Sequence, residues 1–259
     1  LMPALVVMAG FALLVLAGNI WMQKQASGSD AALLGNGMFL GLTGHIFLIA
    51  VAAQKSLSIP PWPLLGILLV LDLAIGAAAL YIRRHNLHQA AMAASAWILI
   101  VWVVVAGVAP FPSIAILSAG AMMFLALCWI YLAKRTGADA AAFGRTASVT
   151  ILLAQGVAIF AAAQPGSPGV GFLLATHLAF LIVLLALEWV RKAYTFAVIG
   201  LFPAAIAVSL WHIQHAAAGY WKQQLLFAVP VYLVFIGYPL LLGRRCAKSI
   251  TPYLAAALA

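Results

Sequence analysis

The sequence predicts an all-α, polytopic membrane protein, and three observations support that prediction. The chain has 259 residues, of which 67% are hydrophobic and 7% are charged. Soluble domains carry about 25% charged residues, so this composition excludes a soluble globular fold. The apolar residues fall in runs of about 20, the length at which a helix crosses a bilayer core of about 30 Å. The Lys and Arg residues lie mainly between these runs.

Nine complete apolar runs and the start of a tenth follow one another along the chain. They span 1–22, 31–53, 64–82, 90–108, 114–133, 146–163, 170–190, 193–211 and 225–243, and the tenth opens at Thr251-Pro252. We therefore predict one transmembrane helical domain over residues 1–259. Because the chain lacks an initiator Met and stops inside the tenth run, we expect it to be an excerpt of a longer protein.

The loop cations predict the orientation of the helices. The odd-numbered connections hold eleven Lys and Arg residues, and the even-numbered ones hold two. The positive-inside rule then places the odd connections in the cytoplasm, so the hairpins close on that side and the first helix starts outside. The odd-connection cations are Lys24, Arg83, Arg84, Lys134, Arg135, Arg145, Arg191, Lys192, Arg244, Arg245 and Lys248.

This topology also explains the net charge of +9. A strongly basic soluble protein would suggest a nucleic-acid partner, whereas here the cations lie where a membrane protein needs them. We therefore predict the lipid bilayer as the partner and no nucleic acid, and we leave open a role for other membrane subunits. The predicted location is a bacterial cytoplasmic (inner) membrane.

Asp72 is the one carboxylate deep inside an apolar run, eleven residues before Arg83 and near the predicted middle of the membrane. Ionisable groups inside a membrane are costly, and they are functional hypotheses by default. The candidate partners are His45, near the middle of the second run, and His177, in the outer half of the seventh. One interpretation is a proton or cation relay, and the other is a polar contact that fixes helix packing.

The predicted membrane helices lack the common sequence patterns of metal-binding sites. None of them contains a His-x-x-His, His-x-x-x-His or Glu-x-x-His pair, and Cys128 and Cys246 have no metal-site spacing. A neutral imidazole bonded to a backbone carbonyl is the alternative state for His45 and His177. We predict neither a metal nor a cofactor.

Four further residues are predicted at the membrane interface. Glu188 lies one turn before Arg191, which favours an ion pair whose long side chains reach toward the headgroups. Arg83 and Arg84 form the turn after the third run. With His85 and His88 beside them, we predict a basic turn that faces lipid phosphates.

Several short strings resemble a known family. They are Ser58-Ile59-Pro60-Pro61-Trp62-Pro63, Leu71-Asp72-Leu73-Ala74, Ala79-Leu80-Tyr81-Ile82-Arg83-Arg84 and Leu87-His88-Gln89-Ala90-Ala91. In these the chain resembles the large bacterial family of predicted multi-pass membrane proteins of unknown function. The resemblance implies an inner-membrane array of tandem helices within a longer chain, often with a soluble N-terminal coiled region. It supplies no active-site residues.

Three classes of function stay open. The first is a transporter or channel-like protein with Asp72 as its ionisable centre. The second is a non-catalytic membrane scaffold or assembly subunit. The weakest is a membrane enzyme acting on lipid-linked substrates, because the four acidic residues of the chain leave few general bases.

Overall fold

The computed structural model of the chain describes residues 2–25, 38–192, 195–214, 221–242 and 249–258. Every regular element in these ranges is a helix. In chain order they are α1 (Met2–Gln25), a 3-10 turn (Met38–Leu42) leading into α2 (Thr43–Ala52), α3 (Lys55–Ser58), α4 (Trp62–Tyr81), α5 (His85–Ala106), α6 (Phe111–Thr136), α7 (Ala140–Ala162), α8 (Val170–Arg191), α9 (Thr195–Ile199), α10 (Leu201–Gln214), α11 (Trp221–Leu242) and α12 (Thr251–Leu258).

Within the described ranges, eight spans are long and apolar enough to cross a membrane by length and composition. They lie in α1, α4, α5, α6, α7, α8, α9 together with α10, and α11. Phe39–Ala52 is a shorter apolar helix, and residues 31–37 of the predicted second run lie outside the described residues, as do Arg244, Arg245 and Lys248. The described chain therefore agrees with the helical membrane class that hydropathy predicted.

The helices extend beyond the apolar runs on the side where basic residues lie. The helix α5 begins at His85 rather than at residue 90, and α7 begins at Ala140 rather than at residue 146. Hydropathy marks the part of a helix that meets lipid, whereas the hydrogen-bonded backbone continues into the polar layer. The ends of helices are for this reason the least predictable part of the fold.

The described residues cluster into two compact units. Unit 1 comprises Leu1–Ala106 and Phe124–Thr150, and unit 2 comprises Gly107–Met123 and Ile151–Ala259. The prediction of one domain over residues 1–259 stays a prediction.

Close packing at small residues holds unit 1 together. A Cβ added at Gly44 in α2 would lie 2.8 Å from Leu71 Cδ1 in α4 and 3.2 Å from Ala12 Cβ in α1. At Gly76 in α4, the indole of Trp129 from α6 occupies the space of a side chain. Small residues allow helices to approach in a membrane, where lipid is as apolar as the helix surface.

Unit 2 is organised around α8. The helix α11 packs against α8 and α12, and the Tyr238 hydroxyl of α11 donates a hydrogen bond of 3.2 Å to the Leu185 carbonyl of α8. Gly200, between α9 and α10, lies against α8, since an added Cβ would be 2.9 Å from Leu184 Cδ2. Short and long helices thus pack against one another in this unit.

A carboxylate caps α7 outside the membrane-spanning segments. The backbone N–H groups of Ala141 and Ala142 each donate to Asp139 Oδ1 at 3.0 Å. The Ala142 N–H, then the Ala141 N–H and the positive Arg145, hold the pKa of Asp139 below its ordinary value of 3.8. This is a helix N-cap, which satisfies two amide groups that otherwise lack an intrahelical acceptor.

Replacing Asp139 with alanine is expected to lower the melting temperature at pH 7, because the cap is lost. A lowered pKa means that the stabilising effect is present above the ordinary carboxyl pKa and disappears as the pH falls through the folded value. The difference from wild type should therefore shrink between pH 7 and pH 3. Thermal unfolding in detergent across this range measures it.

The matched control is Asp139→Asn, since asparagine caps helices about as well as aspartate and does not ionise. At pH 7 it should stay close to wild type, and its difference from Asp139→Ala should not depend on pH. An alanine variant that is as strongly destabilised at pH 3 as at pH 7 would contradict the role of the charged cap.

Candidate functional site

The candidate site is a buried polar junction of three helices in unit 1. His45 Nε2 of α2 lies 3.1 Å from Asp72 Oδ1 of α4. The Ser95 hydroxyl of α5 donates a hydrogen bond of 2.7 Å to the same oxygen. His45 and Ser95 are fully buried, and Asp72 is 3% exposed. A carboxylate, an imidazole and a hydroxyl therefore meet in a span that is otherwise apolar.

Helix geometry explains how these side chains come together. In α4, Asp72 shares the buried face with Leu68, Ile75 and Ala79, at the spacing of one side of a helix. In α5, Ser95 lies on the buried face with Met92 and Leu99. The glycine at position 44 brings α2 against α4 beside the carboxylate. Each polar group is thus placed by an apolar face that must be buried.

Ser95 is the member of this junction that sequence reasoning missed. It follows a stretch of alanines, and serine in a membrane helix commonly bonds the carbonyl four residues earlier. Other hydroxyls of the chain do this, for example Thr150 and Ser209 with the carbonyls of Thr146 and Ala205. Only its position opposite Asp72 distinguishes Ser95, and the sequence contains no signal for that.

The pair of Asp72 and His45 can hold a proton in more than one way. With one shared proton the pair is neutral overall, whether the proton is on the imidazole or on the carboxyl group. Loss or gain of one more proton leaves a net charge, which is costly in an apolar surrounding. His45 Nδ1 has no hydrogen-bond partner within the described residues. Chemically, the arrangement can store, accept and release protons.

His177, the other predicted partner, belongs to unit 2. Its side chain is fully buried, and its ring meets that of Phe227 edge-on at 5.9 Å. Neither ring nitrogen has a hydrogen-bond partner among the residues that the structure describes. The bond to a backbone carbonyl that we considered for this histidine is thus not seen, and His45 is the histidine brought to Asp72.

Glu188 and Arg191 form the ion pair predicted from their spacing, with Arg191 Nη1 3.1 Å from Glu188 Oε1. The side chain of Glu188 is fully buried, whereas that of Arg191 is 16% exposed. The arginine therefore lies between the buried carboxylate and the surface of unit 2. An interfacial function of the pair stays a prediction.

Arg83 and Arg84 form the turn between α4 and α5. Arg83 adopts a left-handed conformation with φ of 58°, and the Arg84 N–H donates to the Ala79 carbonyl at 2.9 Å. This is a Schellman helix end, in which glycine is the residue usually found at the left-handed position. A cavity of about 290 Å³ adjoins the turn and is lined by Phe39, Arg83, Arg84, His85, Asn86 and Leu87.

The prediction that His88 faces lipid phosphates with these arginines is wrong. The side chain of His88 is 1% exposed. It packs against Trp129 edge-on at 6.0 Å and stacks on Phe143 at 5.9 Å. Because the helix α5 already begins at His85, His88 lies one turn further along it, on the buried face with Ala91, Met92 and Ser95.

In the described part of the chain, no group of three His, Cys, Asp or Glu side chains comes together. Asp72 with His45 supplies two potential ligands. A cavity of about 460 Å³ lies between α8 and α11 in unit 2, and its lining is almost entirely apolar. It offers no chemistry comparable with that of the junction at Asp72.

Comparison with known proteins adds no further assignment. No protein-family model matches the chain, and neither a curated protein nor a solved structure matches it. Any function must therefore be argued from the junction itself.

Proposed function

We propose that this chain is a multi-pass inner-membrane protein that moves protons across the bacterial cytoplasmic membrane, alone or coupled to a second solute. In this proposal it crosses the membrane nine times, begins a tenth crossing, and closes its hairpins in the cytoplasm, with the first helix starting outside. The loop cations support this orientation. The resemblance to bacterial multi-pass proteins supports the choice of membrane.

The observation that supports proton movement is the contact of Asp72 with His45 and Ser95 inside three apolar helices. An imidazole titrates near neutral pH when unperturbed, and it can donate from one nitrogen while accepting at the other. Beside a carboxyl group in the bilayer, it forms a pair that stays neutral overall while their shared proton moves from one group to the other. Purely apolar side chains would pack three helices without this chemistry.

The same residue types form the nucleophilic triad of many hydrolases, but their order here is different. In that triad the histidine lies between the serine and the acid and removes the serine proton. In this junction Asp72 lies between Ser95 and His45. The serine therefore has no adjacent base of that kind, and a membrane enzyme acting on lipid-linked substrates is the weakest of the three functions.

A scaffold or assembly role is the second candidate, and close packing at the junction favours it. Gly44 lies against Leu71 and Ala12, and the carboxylate joins α2 and α5 through one oxygen atom. A polar contact in such a place can serve only to fix the arrangement of the helices. The two functions differ in whether Asp72 must ionise.

Proton flux in proteoliposomes tests the proposal. The purified chain is reconstituted, a potassium diffusion potential is imposed with valinomycin, and an internal pH dye reports proton entry. Asp72→Asn should lower the flux by about 100-fold, the low end of what a positioned proton-transfer group contributes. Asparagine keeps the size and the hydrogen-bonding oxygen, so the fold should be retained.

The control is Ser95→Ala, which keeps both ionisable groups and should lose far less flux than Asp72→Asn. Circular dichroism and size-exclusion chromatography check that both variants fold. Equal flux in wild type and Asp72→Asn would contradict the proposal, as would wild-type flux no greater than that of protein-free liposomes. Either result would favour the scaffold role.

A further inference from the structure

A second buried histidine lies in unit 1, outside the junction at Asp72. His88 is 1% exposed, and neither of its ring nitrogens has a hydrogen-bond partner within the described residues. The indole N–H of Trp129, whose ring meets His88 at 6.0 Å, has no partner there either. Three polar atoms are therefore buried together among aromatic rings.

This arrangement is expensive if its only purpose is packing. Buried polar atoms are nearly always hydrogen-bonded, and leaving a donor or acceptor unsatisfied lowers the stability of the fold. A phenylalanine would fill the same space between Trp129 and Phe143 without that penalty. The presence of an imidazole indicates that the protein has a second state, in which the ring nitrogens of His88 find hydrogen-bond partners.

The position of His88 along α5 indicates which polar groups of unit 1 it connects. His88 and Ser95 lie seven residues apart on the buried face of α5, which is two turns or about 10.5 Å along the axis. Toward the other end, the preceding residue Leu87 lines the cavity at the arginine turn. Along α5, His88 thus lies between the residues that line this cavity and Ser95 of the junction.

Trp129 of α6 lies between His88 and the turn of α4 that follows Asp72. Its indole lies on Gly76, one helical turn after Asp72 on α4, and its edge meets His88. The indole N–H can donate but cannot accept, so it can orient a water molecule without carrying a proton itself. His88 contacts Trp129 of α6 and Phe143 of α7, and neither of these two side chains carries a charge.

We propose that His88 is a second proton-carrying group, which links the Asp72 junction to the polar cavity at the turn of Arg83 and Arg84. This inference rests on the proposed function and supplies its route to one membrane surface. The imidazole accepts a proton on one nitrogen from the cavity side and releases the proton of its other nitrogen toward Ser95 and Asp72, so its charge is restored after each transfer. Transient water carries the proton over the two turns that separate the groups.

The first test is proton flux of His88→Gln and His88→Phe in the same proteoliposome assay. Each should conduct about 100-fold less than wild type, because a positioned transfer group is lost. The matched control is His212→Gln, which changes a half-buried histidine of α10 in unit 2, outside the proposed route, and should stay within a few-fold of wild type. Wild-type flux in a folded His88→Phe variant would overturn the inference, whereas Asp72→Asn would still test the proposed function.

The second test needs no variant. Deuterium exchange at the imidazole C2 position, read by mass spectrometry of histidine-containing peptides, reports access of water to each ring. His177 is an internal reference, since it is equally buried and also lacks partners within the described residues. His88 should exchange roughly tenfold faster than His177, because local opening to water governs exchange of buried groups. Equal, slow exchange of both rings would overturn the inference, and absence of wild-type flux would overturn it together with the proposed function.

Discussion

Replacing His45 with leucine is expected to destabilise the protein by about 3 kcal/mol, the low end of the range for breaking a buried ion pair. In this variant Asp72 keeps its hydrogen bond to Ser95 but loses the imidazole that lies 3.1 Å from its Oδ1. A carboxyl group left in an apolar site must take up a proton or remain as an uncompensated charge. Unfolding in mixed detergent micelles with increasing SDS measures the change.

The double variant His45→Leu with Asp72→Leu separates stability from function. Replacing both members of a buried pair by apolar residues of similar size is often neutral, so the double variant should regain most of the lost stability. Its proton flux should nevertheless stay at the level of Asp72→Asn. A double variant that loses the sum of the two single effects would show that the residues do not act as a pair.

Replacing Gly76 with alanine should be the second large effect, with a loss of about 1–3 kcal/mol of stability from overpacking. The added Cβ would lie 2.6 Å from Trp129 Nε1 and closer still to Cε2. Neither the rigid indole nor the α4 backbone can move without disturbing the core formed by Ile75, Leu87 and Phe143. The same unfolding assay, with Trp fluorescence as the signal, measures it.

Gly66 provides the matched control on the same helix. A Cβ added there meets nothing within 4 Å, and alanine is favoured over glycine inside a helix by up to about 1 kcal/mol. Gly66→Ala should therefore be neutral or stabilising. If the two alanine variants had the same stability, the indole would not lie on Gly76 as described.

Hydropathy was sufficient to predict the class of the fold, because bilayer thickness sets the length of each apolar run. Hydropathy could not predict that α5 starts at His85. The polar residues His85, Asn86 and Gln89 are typical of a loop when their burial is unknown. That error also misplaced His88. One turn of helix beyond the apolar run was enough to turn a predicted surface histidine into a core residue.

At the site, the cost of a charge in lipid is sufficient to single out Asp72 from the sequence. The two candidate histidines could not be separated by the sequence, because depth along a helix says nothing about which helices are neighbours. Contact between α2 and α4 through Gly44 brings His45 to the carboxylate, while His177 packs on Phe227 in unit 2. Whether either histidine serves a function stays a prediction.

Both described hydrogen bonds of Asp72 end on the same oxygen, Oδ1. A proton can therefore bind at Oδ2 while Ser95 and His45 continue to donate to Oδ1, so the carboxyl group can change its charge without releasing either neighbouring helix. In a carrier that alternates between two shapes, protonation must weaken one set of helix contacts relative to another. Here both hydrogen bonds to Oδ1 can persist in either protonation state. In the proposed function, protons would therefore pass through the junction while α2, α4 and α5 keep their positions.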